Sequence, residues 1–206
     1  MKALPLLLLF VPSLLLAQKD EPTGPGHRPE RAREDTTAPE PARFAWGLGV
    51  VGYTGGTWQP SGIEVATLWR LSAHHATIAG ATLGLGSFIQ EQAVLFGQTR
   101  GFFASLGATV RQPLVDLASV GSDRNPSALR LETALDLSGS WNIDSPLPQG
   151  KWDGRGGLLL GFSFGSADPL GQSVAFYVGP AVFVGQATTV HPELAFRLRM
   201  PVGRGR

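Results

Sequence analysis

The chain has 206 residues, with 17 Lys and Arg against 16 Asp and Glu, a formal net charge of +1 and no cysteine. Without a basic excess or a block of five or more basic residues it is not built to hold nucleic acid. Without cysteine it must be held together by sheet closure or an ordinary core, not by disulfide staples. From Arg43 onward 12 basic and 10 acidic residues fall in 164, about 13%, where a water-soluble domain usually carries about 25%; much of the surface is expected not to be wet.

Residues 1–17 read as an export signal: Lys2 supplies the positive start, Leu4 to Leu16 is nearly all apolar, and Ala17 precedes the expected cut. That run is short of the 20 or so residues of a spanning helix, and nothing later reaches that length uninterrupted. Any membrane insertion of the mature chain must therefore use strands. Residues 18–42 hold Pro22, Pro25, Pro29, Pro39 and Pro41 among mixed charges, with no apolar side chain larger than alanine or proline. Such a stretch cannot bury enough surface to offset the entropy of ordering, so it is expected to be a disordered periplasmic linker.

The first strand is placed at Phe44–Tyr53, with Phe44, Trp46, Leu48 and Val50 on one face and Ala45, Gly47, Gly49 and Val51 on the other. Thr54–Ser61, with Gly55, Gly56 and Pro60, reads as a loop. The second strand spans Ile63–Leu71, where Ile63, Val65, Thr67, Trp69 and Leu71 oppose Glu64, Ala66, Leu68 and Arg70. A third, less regular strand covers Thr77–Ser87, and Phe88–Gln98 reads as a loop with an apolar middle. In the fourth, Arg100–Gln112, Phe102, Ala104, Leu106, Ala108 and Val110 alternate with Phe103, Ser105, Gly107, Thr109 and Arg111. Pro113–Pro126 is long for a turn, and either one or two helical turns or an extension of the fourth strand through a bulge would accommodate it.

The clearest pattern is Leu129–Leu137, where Leu129, Leu131, Thr133, Leu135 and Leu137 alternate with Arg130, Glu132, Ala134 and Asp136. A helix would scatter these leucines around its circumference; a strand gathers them on one face and sets the charges on the other. Gly139–Asp153, containing Trp141 and Trp152, reads as a loop, Gly156–Phe164 as the sixth strand and Ser166–Gly171 as a short turn. The seventh strand is Ser173–Val184, with a bulge or local break expected at Pro180, which has no N–H for a ladder. The eighth is Val190–Met200, setting Leu194, Phe196, Leu198 and Met200 against Glu193, Ala195, Arg197 and Arg199.

Strands of nine to eleven tilted residues span an apolar layer, and an even number returns the chain to its starting side. The expected fold is all-β: an antiparallel up-and-down eight-stranded transmembrane-type β-barrel over residues 43–201, with a flexible tail at 202–206. Ten strands would require short ones hidden in Phe88–Gln98 and Pro113–Pro126. With lipid on the leucine face, Glu64, Arg70, Arg100, Arg111, Arg130, Glu132, Asp136, Glu193, Arg197 and Arg199 fall inside or at the rims. Eight strands leave room for side chains and little water, and an unpaired buried charge is prohibitive. These residues are therefore expected to pair into a lumen network that plugs the barrel. Phe44 and Trp69 would mark one lipid interface, and Phe102, Trp141 and Trp152 the other.

No catalytic, cofactor or metal site is expected. His74, His75 and Glu193 lack a further ligand at a suitable spacing, and a set of Ser72, His191 and Glu193 is one that any chain of this length permits. His191 before Pro192 reads as serving a bend. Gly47, Gly49, Gly80, Gly84 and Gly86 are followed by no strand-to-helix context of the kind a phosphate loop needs, and read as packing glycines.

From Phe44 to Met200 the alternation resembles the small bacterial outer-membrane β-barrels, the OmpA-type and porin-like eight-stranded proteins. The resemblance is one of architecture. It implies export by the general secretion route, insertion into outer-membrane lipid of a Gram-negative-type bacterium by the assembly machinery, and no cofactor. Members serve as structural anchors, adhesion or defence factors or narrow channels, and a few modify lipids. Their last strand commonly ends in an aromatic residue; here the chain continues as Pro201-Val202-Gly203-Arg204-Gly205-Arg206. Three functions follow: a structural or interaction barrel with a plugged lumen; a secreted soluble barrel or sandwich binding a small ligand or protein, with the leucine face as its core; and a narrow channel or lipid-modifying enzyme.

Overall fold

A computed structural model describes residues 44–54, 58–71, 76–90, 99–122 and 125–202. The export signal at 1–17, the linker at 18–42 and the tail beyond Val202 lie outside them. The alternating stretches form β1 (Phe44–Tyr53), β2 (Trp58–Arg70), β3 (Ile78–Gln90), β4 (Thr99–Ser122), β5 (Asn125–Ile143), β6 (Trp152–Ser166), β7 (Ser173–Val184) and β8 (Thr188–Pro201). Each pairs antiparallel with its neighbour in sequence, and β8 pairs with β1, so the sheet closes into an up-and-down barrel. The end where β1 begins and β8 finishes is termed the base; the opposite end is the mouth.

Ladder partners lead round the ring from Phe44 through Trp69, Ala79, Val110, Leu135 and Leu158 to β7, and from Pro180 to Pro192. There the N–H of Thr54 donates to the Pro192 carbonyl at 2.9 Å, ten residues along β1 from Phe44. That stagger tilts the strands by about 40° and closes a ring just wide enough for side chains.

Several strands run further than local pattern indicates. Thr54–Ser61 is not a loop throughout: β2 starts at Trp58, because Pro60, Ser61 and Gly62 pair with Phe88, Ser87 and Gly86 of an equally extended β3. The two ends of the loop expected at Gly139–Asp153 are also sheet, with β5 continuing to Ile143 and Trp141 paired with Trp152 of β6. Residues of weak strand propensity are held there by the neighbouring strand's hydrogen bonds. Pro113–Pro126 takes the extended alternative, with irregularities between Pro113 and Val115 and between Asp116 and Ala118. Pairing of β4 with β3 ends at Arg111–Ile78. Beyond that point β4 runs on toward the base beside β5, which keeps its ladder with β6 down to Ser127–Ser166.

The break at Pro180 occurs on one side. Pro180 keeps its place opposite Pro192, whereas β6–β7 pairing lapses between Gly157–Ala181 and Leu160–Val178 without a change of register. The Pro192 carbonyl faces β1, where it accepts from Thr54. The Pro180–Pro192 pair is thus a non-hydrogen-bonded one, and the donor that proline lacks is missing toward β6.

The leucine face is outside. Leu135 and Leu137 are 43% and 55% exposed, and Asp136 between them is 3% exposed. A soluble barrel with the leucines as its core would need the opposite arrangement.

Candidate functional site in the lumen

Because alternate residues of a strand point to one side, the charges interleaved with the leucines converge on the barrel axis. Arg197 of β8 reaches across it: Nε lies 2.5 Å from Glu64 Oε1 on β2, and Nη2 lies 2.5 Å from Asp136 Oδ2 on β5. Arg155 of β6 donates to Glu193 on β8 and stands 3.6 Å from Asp136. Three carboxylates thus share two guanidiniums drawn from β6 and β8. Each guanidinium also lies over an aromatic face, Arg155 over Tyr53 at 5.1 Å and Arg197 over Tyr177 at 5.4 Å. Charges this deep are tolerable only when bonded to one another, which ties the strands together at mid-height.

A second layer lies nearer the base. Glu132 accepts hydrogen bonds from the Tyr177 hydroxyl at 2.6 Å and from Ser163, with Arg199 Nη2 3.6 Å away. Tyr177 fits because Gly161 opposite has no side chain; a Cβ there would run into the ring and the Phe176 carbonyl. The ring covers the bare backbone of that glycine. Arg111 is buried in the lumen as well.

The base is closed by the β6–β7 turn. Leu170 at its tip is completely buried with Ala45, Ala66, Leu68 and Ile78. Arginines clamp the turn in place: Arg70 Nη2 lies 2.6 Å from Asp168 Oδ1, and Arg199 donates to the Pro169 carbonyl. Arg130 donates to the Ser166 carbonyl at 3.3 Å and to that of Ala167, while its Nε pairs with Asp116 at 2.7 Å.

The residues expected inside or at the rims therefore divide by height. Glu64, Asp136, Glu193 and Arg197 make the central layer, Glu132 and Arg199 the layer below, and Arg70 and Arg130 hold the base. Arg100 departs from the expectation: it is exposed near the mouth, outside the network. Arg100 shares the parity of the outward Phe102 and Leu106, not that of the inward Phe103 and Ser105, so strand alternation gives it no reason to face the lumen.

Starting the sixth strand at Gly156 omits Arg155, the second guanidinium of the central layer. Carrying the β6 alternation back to Trp152 would have turned Asp153 and Arg155 inward. Asp168 and Leu170 sit in a turn and carry no periodic signal.

His191 contacts Thr189 Oγ1 at 3.0 Å and the Thr54 carbonyl at 3.3 Å and packs edge-on against Phe183. Glu193 is engaged by Arg155 instead. Ser72, His74 and His75 lie outside the described residues. Among the described residues no three His, Cys, Asp or Glu side chains are placed to hold a metal ion. Compared with protein-family models, with curated proteins and with solved structures, the chain finds no match.

Proposed function

We propose that this chain is an outer-membrane β-barrel of structural or interaction type, exported through an N-terminal signal and inserted by the assembly machinery into outer-membrane lipid, with a lumen filled by paired charges. The observation that carries this reading is the inverted distribution of polarity. Leu48, Ile63, Leu83, Leu106, Leu135, Leu158, Val178 and Leu194, one from each strand, point outward, and the arginine–carboxylate layers lie inside. A continuous apolar surface of this kind marks contact with a membrane or another apolar partner.

The height of the band agrees with a bilayer. Trp152 and Phe164 stand twelve residues apart at the two ends of the outward face of β6. At about 3.4 Å per residue and a tilt of about 40° they are about 30 Å apart along the axis. Trp46 and Trp69 near the base, with Trp141 and Trp152 near the mouth, suit the two aromatic girdles of such barrels. The Leu170 stopper and the charge layers favour a closed barrel over a channel. Interaction would then fall to the connections at the mouth and to the β4–β5 hairpin at the base.

Fractionation of cells making the tagged protein tests the reading, followed by gel mobility before and after boiling and by planar-bilayer recording. Recovery in the outer membrane, a mobility shift on boiling and an absence of conductance steps are expected. A protein that stays soluble without detergent would overturn the proposal, and discrete conductance steps would favour the channel.

A further inference from the structure

Arg111 on β4 is 1% exposed and makes no hydrogen bond or ion pair among the described residues. Its ladder partners are Ile78 on β3 and Ala134 on β5, which offer it no side-chain acceptor. The opposite wall of the ring is β8, four strands away in either direction, and from it Arg197 and Arg199 point into the lumen. Of the charges around Arg111, Arg197 acts on it most strongly and Arg199 also repels it, whereas Glu64 attracts it more weakly.

The three guanidiniums leave donors unused. Arg197 gives Nε and Nη2 to Glu64 and Asp136, and its Nη1 is buried without an acceptor among the described residues. Arg199 gives Nη1 to the Pro169 carbonyl, and its Nε is likewise without one. To these Arg111 adds every N–H of its guanidinium. Acceptors are few: Glu132 has its oxygens taken by Ser163 and Tyr177, which leaves Thr109 Oγ1 and Asp136 Oδ1 one step toward the mouth. Water cannot make up the shortfall, because each molecule brings as many donors as acceptors. An anion brings acceptors alone. Arg111 and Arg199 set against Glu132 also leave this layer with an excess of positive charge.

We propose that Arg111 holds a halide ion such as chloride in the lower lumen, with Arg197 Nη1 and Arg199 Nε completing its shell. Hydrogen bonds from guanidinium N–H groups to an anion are among the strong ones, and in a buried site they offset the loss of the ion's hydration. A single atom suits the crowding here: Ile78 and Tyr177 are fully buried in this layer, and an oxyanion or an organic carboxylate would have to displace them. A cation would meet three guanidiniums. The ion is enclosed as the ring closes and acts as part of the fold. The site concerns the inside of the sheet and is independent of what covers the outside.

The test uses the full-length protein refolded into detergent micelles in mixtures of potassium chloride and potassium gluconate at constant ionic strength, its fold checked by heat-dependent mobility. Gluconate is too large for the lumen, so a difference in urea unfolding between the salts reports the halide. Raising chloride from about 1 to about 100 mM is expected to increase the folding equilibrium constant about tenfold, as a dissociation constant of about 10 mM gives. Arg111→Met should abolish that dependence. Crystals of the parent protein grown in bromide should show an anomalous peak within hydrogen-bond reach of the Arg111 guanidinium. If Arg111→Met fails to fold, the chloride dependence and the bromide position in the parent decide. Equal stability in the two salts, a folded Arg111→Met variant that keeps the chloride dependence, or bromide found only on the outer surface would each overturn the site.

Discussion

Arg197 on β8 and Asp136 on β5 meet at 2.5 Å across the lumen although two strands separate them on the shorter way round the ring. With Glu64 on β2 taking the other side of the guanidinium, one residue braces three strands that share no ladder with one another. Arg197→Met would leave two buried carboxylates without this partner and should cost about 3–5 kcal/mol, whereas combining it with Glu64→Gln and Asp136→Asn should recover most of the loss. Urea unfolding in lipid vesicles measures both. An Arg197→Met variant as stable as the parent would show that the brace contributes nothing.

The stopper should separate packing from surface pairing. Leu170→Ala empties a fully buried position at the base and should lose about 2–5 kcal/mol. Arg70→Ala removes a pair whose side chains are 21% and 27% exposed, and should cost about 1 kcal/mol or less. The two denaturation midpoints, compared with the parent's, decide whether burial or charge holds the turn.

Lipid contact predicts a dependence on depth. Leu158 lies midway along the outward face of β6 and Trp152 at its edge. Leu158→Arg should cost about 2–4 kcal/mol when the protein folds into vesicles, and Trp152→Arg about 0–1 kcal/mol. In a protein surrounded by water both would be near neutral, so equal and small effects would argue against the membrane.

Gly161 should tolerate little. Gly161→Ala brings a methyl group against the Tyr177 ring and the Phe176 carbonyl, and should lose about 1–3 kcal/mol by overpacking. Tyr177→Phe leaves Glu132 with one hydrogen-bond donor fewer, a loss of about 1–3 kcal/mol. Equilibrium unfolding of the two variants reads both values.

Among the described residues, β4 beyond Arg111 is paired with β5 alone. Amides of Leu114–Gly121 should therefore exchange with deuterium sooner than those of Phe102–Val110, which lie between two strands. Peptide-level exchange followed by mass spectrometry compares the two segments, and equal protection would mean that something covers the β4 edge.

Local pattern sets the period, and with it which side of each strand faces out. The alternation of Leu135, Asp136 and Leu137 settles their directions without knowledge of any partner, because side-chain direction in a strand is local. For the same reason the limits of β1 and β7, whose alternation is bounded by turn residues, were legible from the chain alone. The tertiary structure decided what pairs with what. Nothing in the neighbourhood of Arg197 selects Asp136, 61 positions away; the ten-residue stagger of the closed ring brings them together. Ring closure likewise extends β2, β5 and β6 through glycine- and serine-rich residues, carries Leu170 into the base, and sets Arg111 on the wall opposite Arg197 and Arg199. Those contacts depend on register around the whole barrel, a property that no local stretch of the chain contains.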